Sequence, residues 1–129
     1  MPLRVFLIAV LLAATGATAD VIAQPLTPHF AAWDRYFSVS AESFERRGQP
    51  GLRGYVTNRY GVAAMRVQLL VDSLDASGQV VAQRVEWLPD TLPGFGRGYF
   101  ELPAPPPASS YRVSVFAFEF IQASLIQSP

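Results

Sequence analysis

The sequence predicts an all-β fold: an antiparallel sandwich of about six to seven strands, with a possible short N-terminal helix. Three observations predict it. Apolar and polar residues alternate with period two in six segments. Clusters of Gly, Pro, Asp and Asn separate those segments at roughly even spacing. The segments are rich in Val, Tyr and Phe, which fit a pleated, half-buried surface.

The first strand is expected over residues 36–44, with Phe37, Val39 and Ala41 on one face and Tyr36, Ser38, Ser40 and Glu42 on the other. Arg46-Arg-Gly-Gln-Pro-Gly51 reads as a loop rich in breakers, and Leu52–Asn58 as the second strand. Gly54 marks a bulge or a close backbone approach, and Asn58-Arg-Tyr-Gly61 a turn.

The clearest strand is Met65–Asp72. Met65, Val67, Leu69 and Val71 point one way; Arg66, Gln68 and Asp72 point the other. Asp75-Ala-Ser-Gly78 is a tight connection, so the next strand, Gln79–Leu88, pairs antiparallel to it. Val81, Val85 and Trp87 share one face of that strand, and Arg84 and Glu86 the other. Pro89–Gly94 turns the chain, Arg97–Leu102 is a short strand, and Pro103-Ala-Pro-Pro-Pro107 stops it. Ser110–Ile121 is the last strand. The helix candidate is Thr27–Arg35, where Thr27 caps and Pro28 takes the first helical position. Val67, Leu69, Val71, Val85, Trp87, Val113 and Val115 are the expected core.

Residues 1–19 read as a signal peptide. Arg4 supplies the basic start, Val5–Ala14 an apolar run of ten, and Ala17-Thr-Ala19 the small-residue cleavage site before Asp20. Ten residues fall short of the ~20 a spanning helix needs; an uncleaved N-terminal anchor is the alternative. The chain then divides into an N-terminal segment 20–35, a sandwich domain 36–122 and a tail 123–129. Periplasmic or secreted localisation follows, with no stable membrane insertion after cleavage.

The cleaved chain has 110 residues, enough for one domain with its own core. There is no cysteine, so disulfides, thiolate metal sites, cysteine nucleophiles and a lipidated N-terminal cysteine are excluded. Nine arginines remain against ten acids, a balance that offers nucleic acid no general attraction. All ten basic residues are arginine and Ala, Gly and Pro are abundant, the usage of a GC-rich bacterial genome.

Three stretches resemble the FxLYD domain, an Ig-like sandwich of bacterial extracytoplasmic proteins. Gly54-Tyr-Val-Thr-Asn58 is similar to its Gly-x-Val-x-Asn strand. Val67–Val81 is similar to its central hairpin, a hydrophobic strand running into Asp-x-x-Gly and two valines. Leu92-Pro-Gly-Phe-Gly-Arg-Gly-Tyr-Phe-Glu-Leu102, followed by Tyr111–Val115, is similar to its Leu-x-Pro-Gly…Phe segment. Val71-Asp-Ser-Leu-Asp75 stands at the naming motif and keeps only its aspartate. The resemblance implies an Ig-like or fibronectin-like sandwich in the cell envelope and carries over no catalytic residue.

No constellation of catalytic or metal-binding type is apparent, and no cofactor is expected. His29 is the sole histidine, without a partner at helical spacing. Asp72 and Asp75 bracket a turn but lack the remaining oxygens of a calcium loop; Asp75 is read as closing the turn, Asp72 as a charge on the wet face. Gly94-Phe-Gly-Arg-Gly98 precedes a strand rather than a helix, which suits a turn and not a phosphate loop. The glutamates are read as cross-strand partners of arginines.

Aromatic residues are the surplus. In the last strand Tyr111, Val113, Val115 and Ala117 share one face and Phe116, Phe118 and Phe120 the other. Either a bulge resets the phase, or the N-terminal segment covers one face through Phe30 and Trp33, or that face meets a partner. The expected function is a non-enzymatic module making protein–protein contacts in the bacterial envelope, with Phe116, Phe118, Phe120 and Trp33 as contact residues. The alternative is a carbohydrate- or small-ligand-binding module using surface aromatics such as Trp33, Trp87 or Tyr99. An aromatic pair lining a groove beside Arg and Glu discriminates for the alternative; a flat apolar patch discriminates for protein contacts.

Overall fold

A computed structural model describes residues 20–106 and 109–121; residues 1–19, expected to be a signal peptide, and the expected tail 123–129 lie outside the described residues. Six strands form two antiparallel sheets: β1 (Phe37–Arg46), β2 (Gln49–Asn58), β3 (Ala64–Leu74), β4 (Val80–Trp87), β5 (Arg97–Pro103) and β6 (Ser110–Phe120). One sheet has the order β1-β2-β5 and the other β4-β3-β6. Their inner faces enclose Phe37, Leu52, Val56, Ala64, Val67, Leu69, Val71, Leu92, Phe100, Leu102 and Val115, all buried. The expected sandwich is present, with six strands.

The loop expected at 46–51 is a two-residue turn. Arg47 and Gly48 both take positive φ, 54° and 78°, and Arg46 pairs with Gln49. This twist matches that of the flanking strands, so both run on through the breakers. Pro50 stands opposite Glu45 at a pair that exchanges no bonds with β1, and its carbonyl accepts the Ala104 N–H. Midway along the hairpin, a Cβ on Gly54 would lie 1.8 Å from the Ser40 carbonyl oxygen, the close approach anticipated there.

Asp75 closes the β3–β4 turn as expected. Its Oδ1 accepts the Ser77 and Gln79 N–H groups and the Ser77 hydroxyl, while Gly78 turns at φ 88°. These bonds hold the Asp75 carboxyl below its ordinary pKa, the Gln79 N–H contributing most.

The β4 core assignment is corrected. Val85 is half-buried and Trp87 is 58% exposed. Register sets Arg84 and Glu86 beside the core residues Val71 and Leu69, so the charged pair occupies the core-side face of this edge strand. The two are ion-paired and reach solvent at the sandwich margin. Leu88, just past the strand, fills the core instead.

Phase also shifts in β3 and β6. The pairing slips between Met65 and Gln68 and again between Gln68 and Leu69, and Arg66 takes φ 53°. Ala64 and Val67 therefore face the core, and Met65 leaves it. On β6 the extra residue is Phe116. Val113 and Val115 face inward before it, and Phe118 and Phe120 pack against the core after it. The first of the three expectations for this strand holds.

The N-terminal segment also covers a face, the outer side of the β4-β3-β6 sheet, but through the stretch before Phe30 and Trp33 rather than through those two residues. Residues 22–29 cross that face: the Ile22 N–H donates to Val80 O, Leu26 bonds the Gln83 side chain through both its N–H and C=O, and the His29 N–H donates to Phe116 O. Leu70 is buried beneath this crossing, and so is Asp72, which is thereby corrected from a wet-face charge. Asp72 is satisfied by Arg112 and Gln83 at hydrogen-bond distance. The helix expected over Thr27–Arg35 shrinks to one 3-10 turn, Trp33–Arg35, because the preceding residues are held extended on the sheet.

Asn58 pins one end of the sandwich. Fully buried, its Nδ2 donates to Val62 O at 2.9 Å and Pro93 O at 3.2 Å, its Oδ1 accepts the Tyr60 N–H, and its N–H donates to Gly96 O. One side chain thus ties the β2–β3 turn to the β4–β5 loop.

Candidate functional site

The outward face of the β1-β2-β5 sheet gathers the aromatic and charged side chains that alternation excludes from the core. Register brings Ser40, Tyr55 and Tyr99 into one row and Glu42, Arg53 and Glu101 into the next. Tyr55 and Tyr99 meet edge to face, ring centroids 5.4 Å apart at 60°. The Arg97 guanidinium lies 4.1 Å from the Tyr55 ring centroid. Between β1 and the tyrosines runs an open groove of about 430 Å³, lined by Ser40, Glu42, Arg53, Gly54, Tyr55 and Tyr99. Tyr55 and Tyr99 are 37% and 47% exposed, so each ring offers surface to the groove.

The charges around it are paired. Arg53 Nε donates to Glu42 at 2.9 Å, Arg46 to Glu101 at 2.6 Å, and the Tyr99 hydroxyl to Glu101 at 2.6 Å. The Tyr99 hydrogen bond, aided by Arg46, holds the Glu101 carboxyl below its ordinary pKa; the same bond pushes the Tyr99 phenol up. The bond to Glu42 raises Arg53 further. Phe44 continues the stripe, with Arg46 and Arg53 at 5.4 and 4.9 Å from its ring centroid. The result is a fixed array of two rings, carboxylate acceptors and guanidinium donors on a rigid sheet.

The expected contact residues lie elsewhere and do not form one face. Phe116 carries the His29 ring at 4.4 Å on the outer side. Phe118 packs on the buried Phe37 at 4.8 Å, and Phe120 stacks on Phe37 at 6.0 Å; both are half-buried. Trp33 packs against the core beside them. The shared face expected of the three phenylalanines is thus corrected: the bulge turns two rings inward. Around them Phe30, Tyr36 and Tyr60 complete an aromatic cluster at the end of the sandwich. Near it Phe95 stands 76% exposed at φ 60°, its ring against Gly61.

Tyr99 belonged to the aromatic surplus of the sequence, whereas Tyr55 did not stand out. The usable signal was Arg53-Gly-Tyr55 in alternation, which sets both side chains on the wet face of a central strand. Trp87, the other exposed candidate, lies opposite Gln68 on the second sheet, away from the groove. His29, the sole histidine, is surface-exposed on Phe116.

Among the described residues, no His, Asp and Glu side chains gather in threes as a metal site requires, and no helix is long and apolar enough to cross a membrane. No family model, curated protein or solved structure matches the chain.

Proposed function

We propose that this chain is an exported, non-enzymatic binding module that takes a hydroxyl-rich ring ligand, a carbohydrate, in the Tyr55–Tyr99 groove. The observation that carries the reading is the aromatic pair lining a groove beside Glu42 and Arg53. A pyranose presents C–H bonds of slightly positive character to an aromatic face, and its hydroxyls both donate and accept. Tyr55 and Tyr99 supply the faces, and Glu42 and Arg53 supply acceptor and donor. Sites that fix a small ligand combine apolar walls with a few placed polar groups in this way. Export rests on residues 1–19, and assignment to an FxLYD-like envelope domain rests on residues 54–58, 67–81 and 92–102. The test is titration of isotope-labelled protein with neutral and acidic oligosaccharides. Shifts centred on Tyr55, Tyr99 and Arg53, lost in Tyr99→Ala, are expected; no shift at millimolar ligand removes the reading.

Protein contact is the second reading, favoured by Phe95. A bulky residue held at positive φ and largely exposed is costly, and such outliers concentrate at functional positions. Phe95→Ala, compared with wild type in affinity capture from the envelope fraction, tests it: an unchanged set of captured proteins removes Phe95 from consideration.

A further inference from the structure

Strand β1 is the open edge of its sheet, and its geometry fixes which groups are free. The turn at Arg47-Gly48 closes on Arg46 and Gln49, so Arg46 and every second residue back to Ser38 bond β2. One step further, Arg59 N–H reaches Tyr36 O at 2.7 Å and keeps the alternation. The N–H and C=O groups of Val39, Ala41, Ser43 and Glu45 therefore point away from β2. No backbone group among the described residues pairs with them.

Each of the other three edges carries an obstruction over part of its length. On β4, Arg84 and Glu86 occupy the core-side face, and Val80 O is taken by Ile22. On β6, Phe116 O is taken by His29. On β5, Pro103 has no donor. Devices of this kind keep sheet edges from pairing with other chains; β1 carries a single core-side charge, Glu45, at its turn end. Its first residues are shielded, because Phe37 is buried against Phe118 and Phe120. Among the described residues, no backbone group bonds the outward edge of Ala41–Arg46.

We infer that β1 pairs antiparallel with β1 of a second copy, about a two-fold axis at Phe44, joining the two β1-β2-β5 sheets into one of six strands. Charge selects the occupant and the register. An axis at Phe44 sets Glu42 opposite Arg46 of the second copy, twice by symmetry, and Ser43 opposite Glu45. An axis at Glu42 or Glu45 opposes two like carboxylates. An axis at Ser43 makes no charge pair, and one at Ala41 requires the shielded Phe37. Glu42 and Arg46 already hold Arg53 and Glu101 within the chain, and only the Phe44 register gives each a second partner of opposite charge without opposing two like carboxylates.

Sedimentation equilibrium of the chain lacking residues 1–19, from micromolar to millimolar concentration, tests this. A monomer–dimer equilibrium that weakens as salt rises is expected. Ser43→Pro removes one outward N–H that bonds nothing among the described residues; dimerisation should be lost while circular dichroism is unchanged, and Ser43→Ala should dimerise as the wild type does. Glu42→Arg should weaken the dimer roughly tenfold, and the double change Glu42→Arg with Arg46→Glu should restore it. Restoration supports the register even if Ser43→Pro fails to fold. A monomer at every concentration, or a dimer indifferent to both Ser43→Pro and Glu42→Arg, overturns the inference.

Discussion

Arg112 grips Asp72 with two N–H groups on one oxygen, Nε at 3.0 Å and Nη2 at 2.9 Å to Oδ2. The pair is lopsided: the Arg112 side chain is 55% exposed and that of Asp72 is 3% exposed. Gln83 occupies the other carboxylate oxygen and passes its remaining bonds to the Leu26 backbone. A buried charge thereby anchors the N-terminal segment to the sheet.

The asymmetry sets the order of two substitutions. Arg112→Met strands a buried carboxylate and should cost about 3–5 kcal/mol. Asp72→Asn leaves an arginine that water can reach, and should cost about 1–3 kcal/mol. Urea denaturation of both variants gives the order directly. In both, amide exchange at Ile22 and Leu26 should quicken.

Asn58→Ala deprives the Val62 and Pro93 carbonyls and the Tyr60 N–H of a buried partner at once. A loss of about 2–4 kcal/mol is expected, beyond that of a single hydrogen bond. Asn58→Asp should do no better at neutral pH, because a carboxylate has no N–H for those carbonyls. Thermal melts at one fixed pH compare the three proteins.

Phe118→Ser is expected to destabilise by about 2–3 kcal/mol, less than a fully buried phenylalanine because the ring is half-buried. Leu69→Ala, in the centre of the core, should cost about 2–5 kcal/mol. Either is a sizeable part of the roughly 5–15 kcal/mol that holds a domain together. Guanidinium titration with near-ultraviolet circular dichroism resolves both.

Asp75 contributes a pH-dependent increment. Its folded pKa is lowered from 3.8, so the folded state binds its proton more weakly than the unfolded chain does. The stabilisation is therefore present above about pH 4 and fades as pH falls through the folded value. The stability gap between wild type and Asp75→Ala should shrink below pH 4 and stay constant from pH 6 to 8. Denaturant midpoints across that range decide it.

Much of this architecture was legible residue by residue. Val67, Leu69, Val71 and Val115 announce their burial by alternation, and Asp75 and Gly78 announce their turn. Alternation fails where pairing slips, since one extra residue at Phe116 inverts every later side chain of β6. It also cannot tell which of two faces is covered. Val85 and Trp87 read as core, yet an edge strand at the sandwich margin carries Arg84 and Glu86 on that side. Pro50 and Gly51 read as breakers, because composition does not reveal that Arg47 accepts positive φ. The Tyr55–Tyr99 pair lay hidden for another reason: its members are 44 residues apart, and only the register of β2 on β5 joins them.

The charged core-side face of β4 reaches beyond its own strand. A molecule with two open edges adds copies at both and grows without end, as fibrils do. Arg84 and Glu86 would have to leave water for any strand laid beside β4, a desolvation that backbone pairing does not offset. That margin is withdrawn from strand addition by two side chains, Arg84 and Glu86, rather than by a covering loop.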